Sequence, residues 1–268
     1  MATERVLFVN QGIIPYLDTS YESEIGRYLP LRMQERGIDT RVFMPKYGVI
    51  SERKNLLHEV IRLSGQNIII NNNPYPLIIK VSSIPAIHMQ IYFIHNEHYF
   101  GRKYLLTDKM GKYFADNDER AMFYARGVME TVKNLAWSPD IIHCHGWISC
   151  LVPIFMKKLY VDSPFFSNTK IVFSVYGDHD SKNVSRSFAN KLSRSGIPSG
   201  DAEAYKGVDY EASLKLAIDY SDGVVISHEN VSEGIREHIA NSNKPFFEHQ
   251  ENEYGEPYLE LYNRIVDK

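Results

Sequence analysis

The feature that most constrains the fold is an alternation of short apolar runs with amphipathic segments. "RVLFVN" (residues 5–10) is an apolar run of the kind found in parallel strands buried on both faces, and "TRVFMP" (residues 40–45) is a second one. Between them, Ile25, Leu29 and Met33 recur at helical spacing. The opening therefore predicts a βαβ unit, in which a right-handed crossover makes the two strands parallel.

The same alternation continues along most of the chain. "DIIHCH" (140–145), "KIVFSVYG" (170–177) and "DGVVIS" (222–227) are strand-like, and each is followed or preceded by a helical pattern such as "DNDERAMFYARGVMETVKNL" (116–135). Strands alternating with helices predict an α/β fold with a doubly wound, Rossmann-like parallel sheet. In such sheets, ligands bind outside the carboxyl ends of the strands.

Two regions depart from the alternation. Residues 58–94 hold several short strand-like runs split by turn residues, which predicts a β-rich insertion of antiparallel hairpins. Residues 241–268 mix a polar stretch with a short amphipathic segment, which predicts a linker and a C-terminal helix. We therefore expect the Rossmann-like domain to occupy residues 1–240.

Composition narrows the class of protein. Of the 268 residues, 44% are hydrophobic and 24% charged, which is ordinary for a globular domain, and the formal net charge of −3 argues against a nucleic-acid partner. The first apolar run is too short for a signal peptide or a membrane span, so no membrane partner is expected. Cys144 and Cys150 are predicted to be buried free thiols in a reducing compartment. We expect a cytoplasmic protein.

Two strand ends carry side chains that could hold a metal. His143 and His145 alternate along one strand and so point the same way, and Asp178, His179 and Asp180 follow another strand. A metal-dependent enzyme is therefore one hypothesis. The spacing matches no fixed metal motif, and histidines at strand ends often bond to nearby backbone groups, so no metal or other cofactor is assigned.

The loop after the first strand offers no phosphate-binding motif. "PYLDTSYESEIGRYLP" (residues 15–30) lacks the glycines and lysine of a P-loop, and no G-x-G-x-x-G or G-x-S-x-G is present. Thr19 and Glu22, three residues apart, form a capping-box pattern, which predicts that the helix start is capped by its own side chains.

Several stretches together resemble, in the same order, the N-terminal domain of bacterial glycogen synthases and plant starch synthases. "IYFIHNEHYFGR" is similar to their "VYF-x-x-x-x-x-YF-x-R" segment, and "DNDERAMFYARGVMETV" to their "DN-x-x-RF-x-F-F-x-x-A" helix. "PDIIHCHGWISCLVP" resembles "PDI-x-H-x-HDW-x-x-x-L-x-P". The resemblance implies the N-terminal half of a GT-B fold, which in this family transfers glucose from ADP-glucose to the non-reducing end of an α-1,4-glucan.

The resemblance also shows where this chain departs from the family at the opening loop. The family pattern there reads "E-x-x-P-x-x-K-x-GGL-x-D". Aligned on Pro15, its lysine falls on Asp18, its glycine pair on Ser20 and Tyr21, and its final aspartate on Glu24. The lysine and glycines that approach the nucleotide sugar in the family are therefore absent at these positions.

Two further motifs are changed in the same way. The aspartate of "HDW" falls on Gly146, while the histidine and asparagine of "VFT-x-HN" fall on Tyr176 and Gly177. By resemblance, the positions expected to contact substrate are Glu24, Tyr99, His145, Trp147 and Tyr176.

These observations predict a glycogen or starch synthase-type hexosyltransferase domain that is degenerate and not active alone. In the family a second domain holds most of the nucleotide, so ADP-glucose would bind only if another chain supplied that donor domain. The alternative is a non-catalytic module derived from the same domain that binds α-glucan or a partner. Either function is compatible with a homo- or hetero-oligomer.

Overall fold

The computed structural model describes residues 3–84, 87, 89–177 and 184–267. The strands are β1 (Arg5–Asn10), β2 (Asp39–Pro45), β3 (His58–Glu59), β4 (Asn67–Ile70), β5 (Asn73–Pro76), β6 (Ile78–Ile84), β7 (Met89–His95), β8 (Ile141–His145), β9 (Lys170–Val175), β10 (Gly223–Ile226) and β11 (Phe246–Glu248). The helices are α1 (Tyr21–Glu35), α2 (Glu97–Phe100), α3 (Asn117–Asn134), α4 (Val152–Leu159), α5 (Phe188–Arg194), α6 (Ser199–Ala202), α7 (Tyr210–Asp219), α8 (Glu233–Asn241) and α9 (Glu256–Val266).

Within the described residues, nine strands form one sheet in the order β11-β10-β9-β8-β1-β2-β7-β6-β3. The strands from β11 to β7 are parallel, and the chain leaves β1 towards β2 first and returns later to β8 on its other side. This is the topological switch point of a doubly wound sheet. The predicted fold class is confirmed.

Helices cover both faces of the sheet. The crossovers β1–α1–β2 and β8–α4–β9 run in opposite directions across the sheet, so right-handed connections place α1 and α4 on opposite faces. The start of α9 lies beside α1. The ring of Tyr254, just before α9, is 5.7 Å from that of Tyr28 on α1, and Glu256 forms an ion pair of 2.6 Å with Arg36, just after α1. The central strands are consequently buried on both faces, which explains why β1 reads as one apolar run.

The region 58–94 is only in part the predicted insertion. Strands β4 and β5 form a separate antiparallel hairpin, and β3 and β6 extend the main sheet in antiparallel pairing. Strand β7, however, pairs parallel with β2 and is an integral member of the main sheet, so including it in the insertion was wrong. Its residues are buried except Gln90, as expected for a strand covered on both faces.

The tail after residue 240 also packs on the sheet. The predicted C-terminal helix is present as α9, with Tyr258 and Tyr262 fully buried. The expected polar linker, however, contains the edge strand β11, which pairs parallel with β10. Three residues are too few for a periodic pattern to be visible in the sequence, and β11 is fixed by pairing rather than by burial because Phe246 remains 43% exposed.

Candidate functional site

A cavity of about 480 Å³ opens at the carboxyl ends of the strands. Four strand ends contribute to its walls: Gln11 follows β1, Val49 follows β2, Tyr176 follows β9 and His228 follows β10. Leu105, between α2 and α3, also lines it. The position agrees with the rule that ligands of doubly wound sheets bind beside the switch point. Residues 16–23, which span the loop after β1 and the first turn of α1, all line the cavity.

The start of α1 is closed by its own serines. Ser20 is the N-cap residue: its hydroxyl accepts a hydrogen bond of 3.2 Å from the backbone N–H of Ser23, and the hydroxyl of Ser23 accepts one of 2.8 Å from the N–H of Ser20. The predicted capping box of Thr19 and Glu22 was therefore displaced by one residue, since any of several hydroxyl–acceptor pairs in "DTSYES" can cap the helix. The backbone N–H groups of Ser20 and Ser23 are thereby used within the chain.

Tyr21 lines the cavity and contacts two histidines. Its ring lies edge-on to His228 at 5.1 Å and to His249 at 5.8 Å, measured between ring centroids, so it connects α1 to the loops that follow β10 and β11. Burial is the main factor that raises the pKa of Tyr21, and the carboxylates of Glu251, Glu229 and Glu24 raise it further. The surroundings of Tyr21 are therefore both aromatic and acidic.

The charges in the cavity wall are negative. Asp18 and Glu22 contribute carboxylates, and among the described residues no lysine or arginine lines the cavity. The remaining polar groups of the wall are hydroxyls, one amide side chain and the imidazole of His228. Such a wall offers hydrogen-bond partners to a neutral polyhydroxyl ligand and repels a diphosphate.

Behind the cavity, two histidines of β8 are fully buried. His145 Nδ1 lies 2.8 Å from the Tyr176 hydroxyl, which places a tyrosine of the cavity wall in contact with the strand. His143 uses both ring nitrogens, at 2.6 Å from the Tyr262 hydroxyl and 2.8 Å from Ser174 Oγ. Burial lowers the pKa of His145 to about 3, with His249 as a second cause, and lowers the pKa of His143 well below its usual range.

These low pKa values predict an acid-sensitive fold. Between pH 6.5 and pH 4.5 the unfolded state takes up a proton at His145 while the folded state does not, so the free energy of unfolding falls as the pH falls. One such histidine contributes a loss of about 2 kcal/mol over this range. Melting temperatures recorded from pH 7 to pH 4.5 should fall steeply in the natural chain and less steeply in His145→Gln; equal slopes would contradict the prediction.

The metal hypothesis gains nothing from the described residues. Within residues 3–84, 87, 89–177 and 184–267, no group of three or more histidine, cysteine, aspartate or glutamate side chains is placed to hold a metal ion. Asp178, His179 and Asp180 lie outside the described residues. Cys144 and Cys150 are buried free thiols, as predicted.

The structure separates the residues singled out from the sequence into two sets. The cavity is lined by five of them: Asp18, Ser20, Tyr21, Tyr176 and Gly177. The wall does not include the other five: Glu24, Tyr99, His145, Gly146 and Trp147.

Two of those five are held in the interior by hydrogen bonds. Tyr99 is fully buried with its hydroxyl 3.0 Å from Glu119, and the Trp147 indole donates to Ser213 Oγ at 2.9 Å. Substrate contact by Tyr99 and Trp147 stays a prediction.

Gln11, Glu22 and His228 are among the cavity residues that the sequence did not mark as candidates. Gln11 and His228 directly follow predicted strands, so the strand-end rule contained the signal for both. Glu22 was interpreted as a capping residue. Its reach into the cavity depends on where the helix starts, which the sequence placed one residue too early.

None of the described helices is both long and apolar enough to cross a membrane.

Comparison with known proteins identifies the family. The model of the starch synthase catalytic domain family matches residues 5–250. The glycogen synthase of Chlorobium luteolum is 38% identical over 173 residues, covering 64% of this chain and 35% of that protein. The glycogen synthase of Chlorobaculum parvum is 33% identical over 238 residues, covering 86% of this chain and 47% of that protein. The chain thus spans between about a third and a half of these curated relatives.

The fold has a solved counterpart. The catalytic domain of starch synthase IV from Arabidopsis thaliana, bound to ADP and acarbose, superimposes with a TM-score of 0.72 at 18% sequence identity, covering 92% of this chain and 51% of that chain. The large, mainly parallel sheet therefore matches the GT-B glycosyltransferase fold of starch synthase, which confirms that part of the fold prediction. By the match over residues 5–250, the chain belongs to the starch synthase catalytic domain family.

Proposed function

We propose that this domain holds the α-glucan in a glycogen synthase-type glucosyltransferase and does not hold the nucleotide sugar. The observation that carries the proposal is the cavity wall, which combines carboxylates and hydroxyls with the rings of Tyr16, Tyr21 and Tyr176 and shows no cationic side chain among its described residues. Neutral sugars are bound by hydrogen bonds to such polar groups and by packing on aromatic faces. A diphosphate needs positive charge or free backbone donors.

The donor half of the reaction belongs to another domain in this proposal. ADP-glucose would be bound only where a donor-binding domain, on this or another polypeptide, faces the cavity. The 268-residue chain by itself would then bind glucan in the cytoplasm without transferring glucose. A purely glucan-binding role is the second candidate, and Tyr21 favours it because its ring occupies the place where the family pattern has a glycine.

Tyr21 gives the proposal a direct test. Replacing it with alanine removes one ring of the cavity wall, so we expect the affinity for maltoheptaose to fall about tenfold, as for the loss of one aromatic packing surface. Tyr28→Ala is the matched control, because Tyr28 lies on the same helix outside the cavity wall and is 37% exposed. Calorimetric titration of both variants measures the effect; equal affinities would contradict the proposal.

A further inference from the structure

Gly146 has no room for a side chain because Glu22 fills that space. Gly146 directly follows β8 and has φ 77° and ψ 167°, a conformation open almost only to glycine. A Cβ atom built there would lie 2.0 Å from Glu22 Oε1 and 2.8 Å from the Cβ of Gln11. The carboxylate of a helix residue thus occupies the volume of a side chain at the strand end.

The carboxylate is held in place by Gln11. Gln11 Nε2 donates to Glu22 Oε2 at 3.0 Å, and Gln11 Oε1 accepts from the backbone N–H of Ile148 at 3.2 Å. Gln11 is only 9% exposed, so the amide is a fixed bridge between α1 and the turn after β8. Both Gln11 and Glu22 line the cavity.

Both positions differ from the family pattern. The pattern has leucine where this chain has Glu22 and aspartate where it has Gly146, so an apolar residue and a carboxylate have been replaced by a carboxylate and a glycine. The structure brings these two positions into contact. A carboxylate is therefore present beside position 146, and it comes from α1 instead of from the turn after β8.

We propose that Glu22 is the carboxylate that accepts hydrogen bonds from the hydroxyls of the sugar in this cavity, taking the place that a side chain at position 146 would have. The inference rests on the proposed function and adds to it a residue and a role. A carboxylate that accepts from a hydroxyl makes a hydrogen bond about twice as strong as a neutral one, so Glu22 should contribute much of the affinity for a neutral sugar.

The binding test uses the full 268-residue chain and maltoheptaose. Glu22→Gln keeps the shape but removes the charge, and we expect its affinity to fall about tenfold with an unchanged melting temperature. Glu35→Gln, at the exposed end of the same helix, should bind like the natural chain. If Glu22→Gln does not fold, Glu22→Asp is measured in its place. We expect the same loss of affinity, because the shorter side chain moves the carboxylate away from the sugar by one methylene.

The outcomes separate the inference from the proposed function. Natural affinity in Glu22→Gln, or a larger loss in Glu24→Gln, overturns the role of Glu22 while maltoheptaose binding by the natural chain still supports the proposed function. A natural chain that does not bind maltoheptaose overturns both.

A thermal test examines the shared volume without any ligand. Gly146→Ala should lower the melting temperature, and the loss should be smaller in a Glu22→Ala background, where the carboxylate no longer meets the new methyl group. Additive effects of the two substitutions would overturn the claim that Glu22 occupies the space of a side chain at position 146.

Discussion

Introducing Asp18→Lys and Tyr21→Gly together is expected to create affinity for ADP that the natural chain lacks. The lysine replaces a negative charge with a positive one in the cavity wall, and the glycine removes the ring that packs against His228. One charge pair at about 4 Å is worth roughly 4 kcal/mol at an effective dielectric constant near 20, before solvent and salt reduce it. We expect ADP to bind at least about tenfold more tightly than to the natural chain.

Two features of the measurement make this result specific. The gain should shrink as salt is added, because it comes from exposed charges. Asp162→Lys changes the net charge by the same two units at an exposed position outside the cavity wall, and should leave ADP binding unchanged. An equal gain in Asp162→Lys would show that net charge, and not the opening loop, controls nucleotide binding.

Among the substitutions proposed for this chain, Arg120→Met is expected to cause the largest loss in the free energy of unfolding. Arg120 is fully buried on α3, where its Nε donates to the Tyr99 carbonyl at 2.7 Å and its Nη1 to Asn117 Oδ1 at 2.6 Å. Its guanidinium carbon lies 5.2 Å from the ring centroid of Phe100 and 5.4 Å from that of Phe114. The side chain therefore connects α3 to α2 and to Phe114, which lies just before α3.

Methionine fills a similar volume but donates no hydrogen bond. The buried acceptors on Tyr99 and Asn117 would lose their donor, and the cation–ring contacts would be lost as well. We expect a loss of about 3 kcal/mol in the free energy of unfolding and of about 8 °C in melting temperature for a domain of this size. Arg32→Met, which removes a solvent-exposed arginine paired with Glu35, should change the melting temperature little. Equal shifts in both variants would contradict the role of Arg120.

Much of the fold could be predicted because the deciding signals are local. The apolar runs of β1 and β2 and the helical spacing of Ile25 and Leu29 reflect burial that each residue experiences in its own element. The place of β7 and β11 in the main sheet could not be read in this way. Each is fixed by a partner strand distant in the sequence, and β11 is too short to show a period.

The sequence predicted where the candidate site lies, but not which residues line it. The strand-end rule pointed to the loops that form the cavity, and Asp18, Tyr21 and Tyr176 do line it. Glu22 and Gly146 show why the rest was missed. Their relationship is a contact between a helix and a strand end, which becomes visible only when a Cβ at position 146 is found to collide with a carboxylate that lies 124 residues earlier in the chain.

The most direct test of the account is a titration of the natural 268-residue chain with maltoheptaose and, separately, with ADP, followed by the NMR signals of the residues that line the cavity. The account predicts saturable shifts with maltoheptaose, centred on Tyr21 and Glu22, and no saturable shifts with ADP. Saturable binding of ADP at these residues, with none of maltoheptaose, would contradict it.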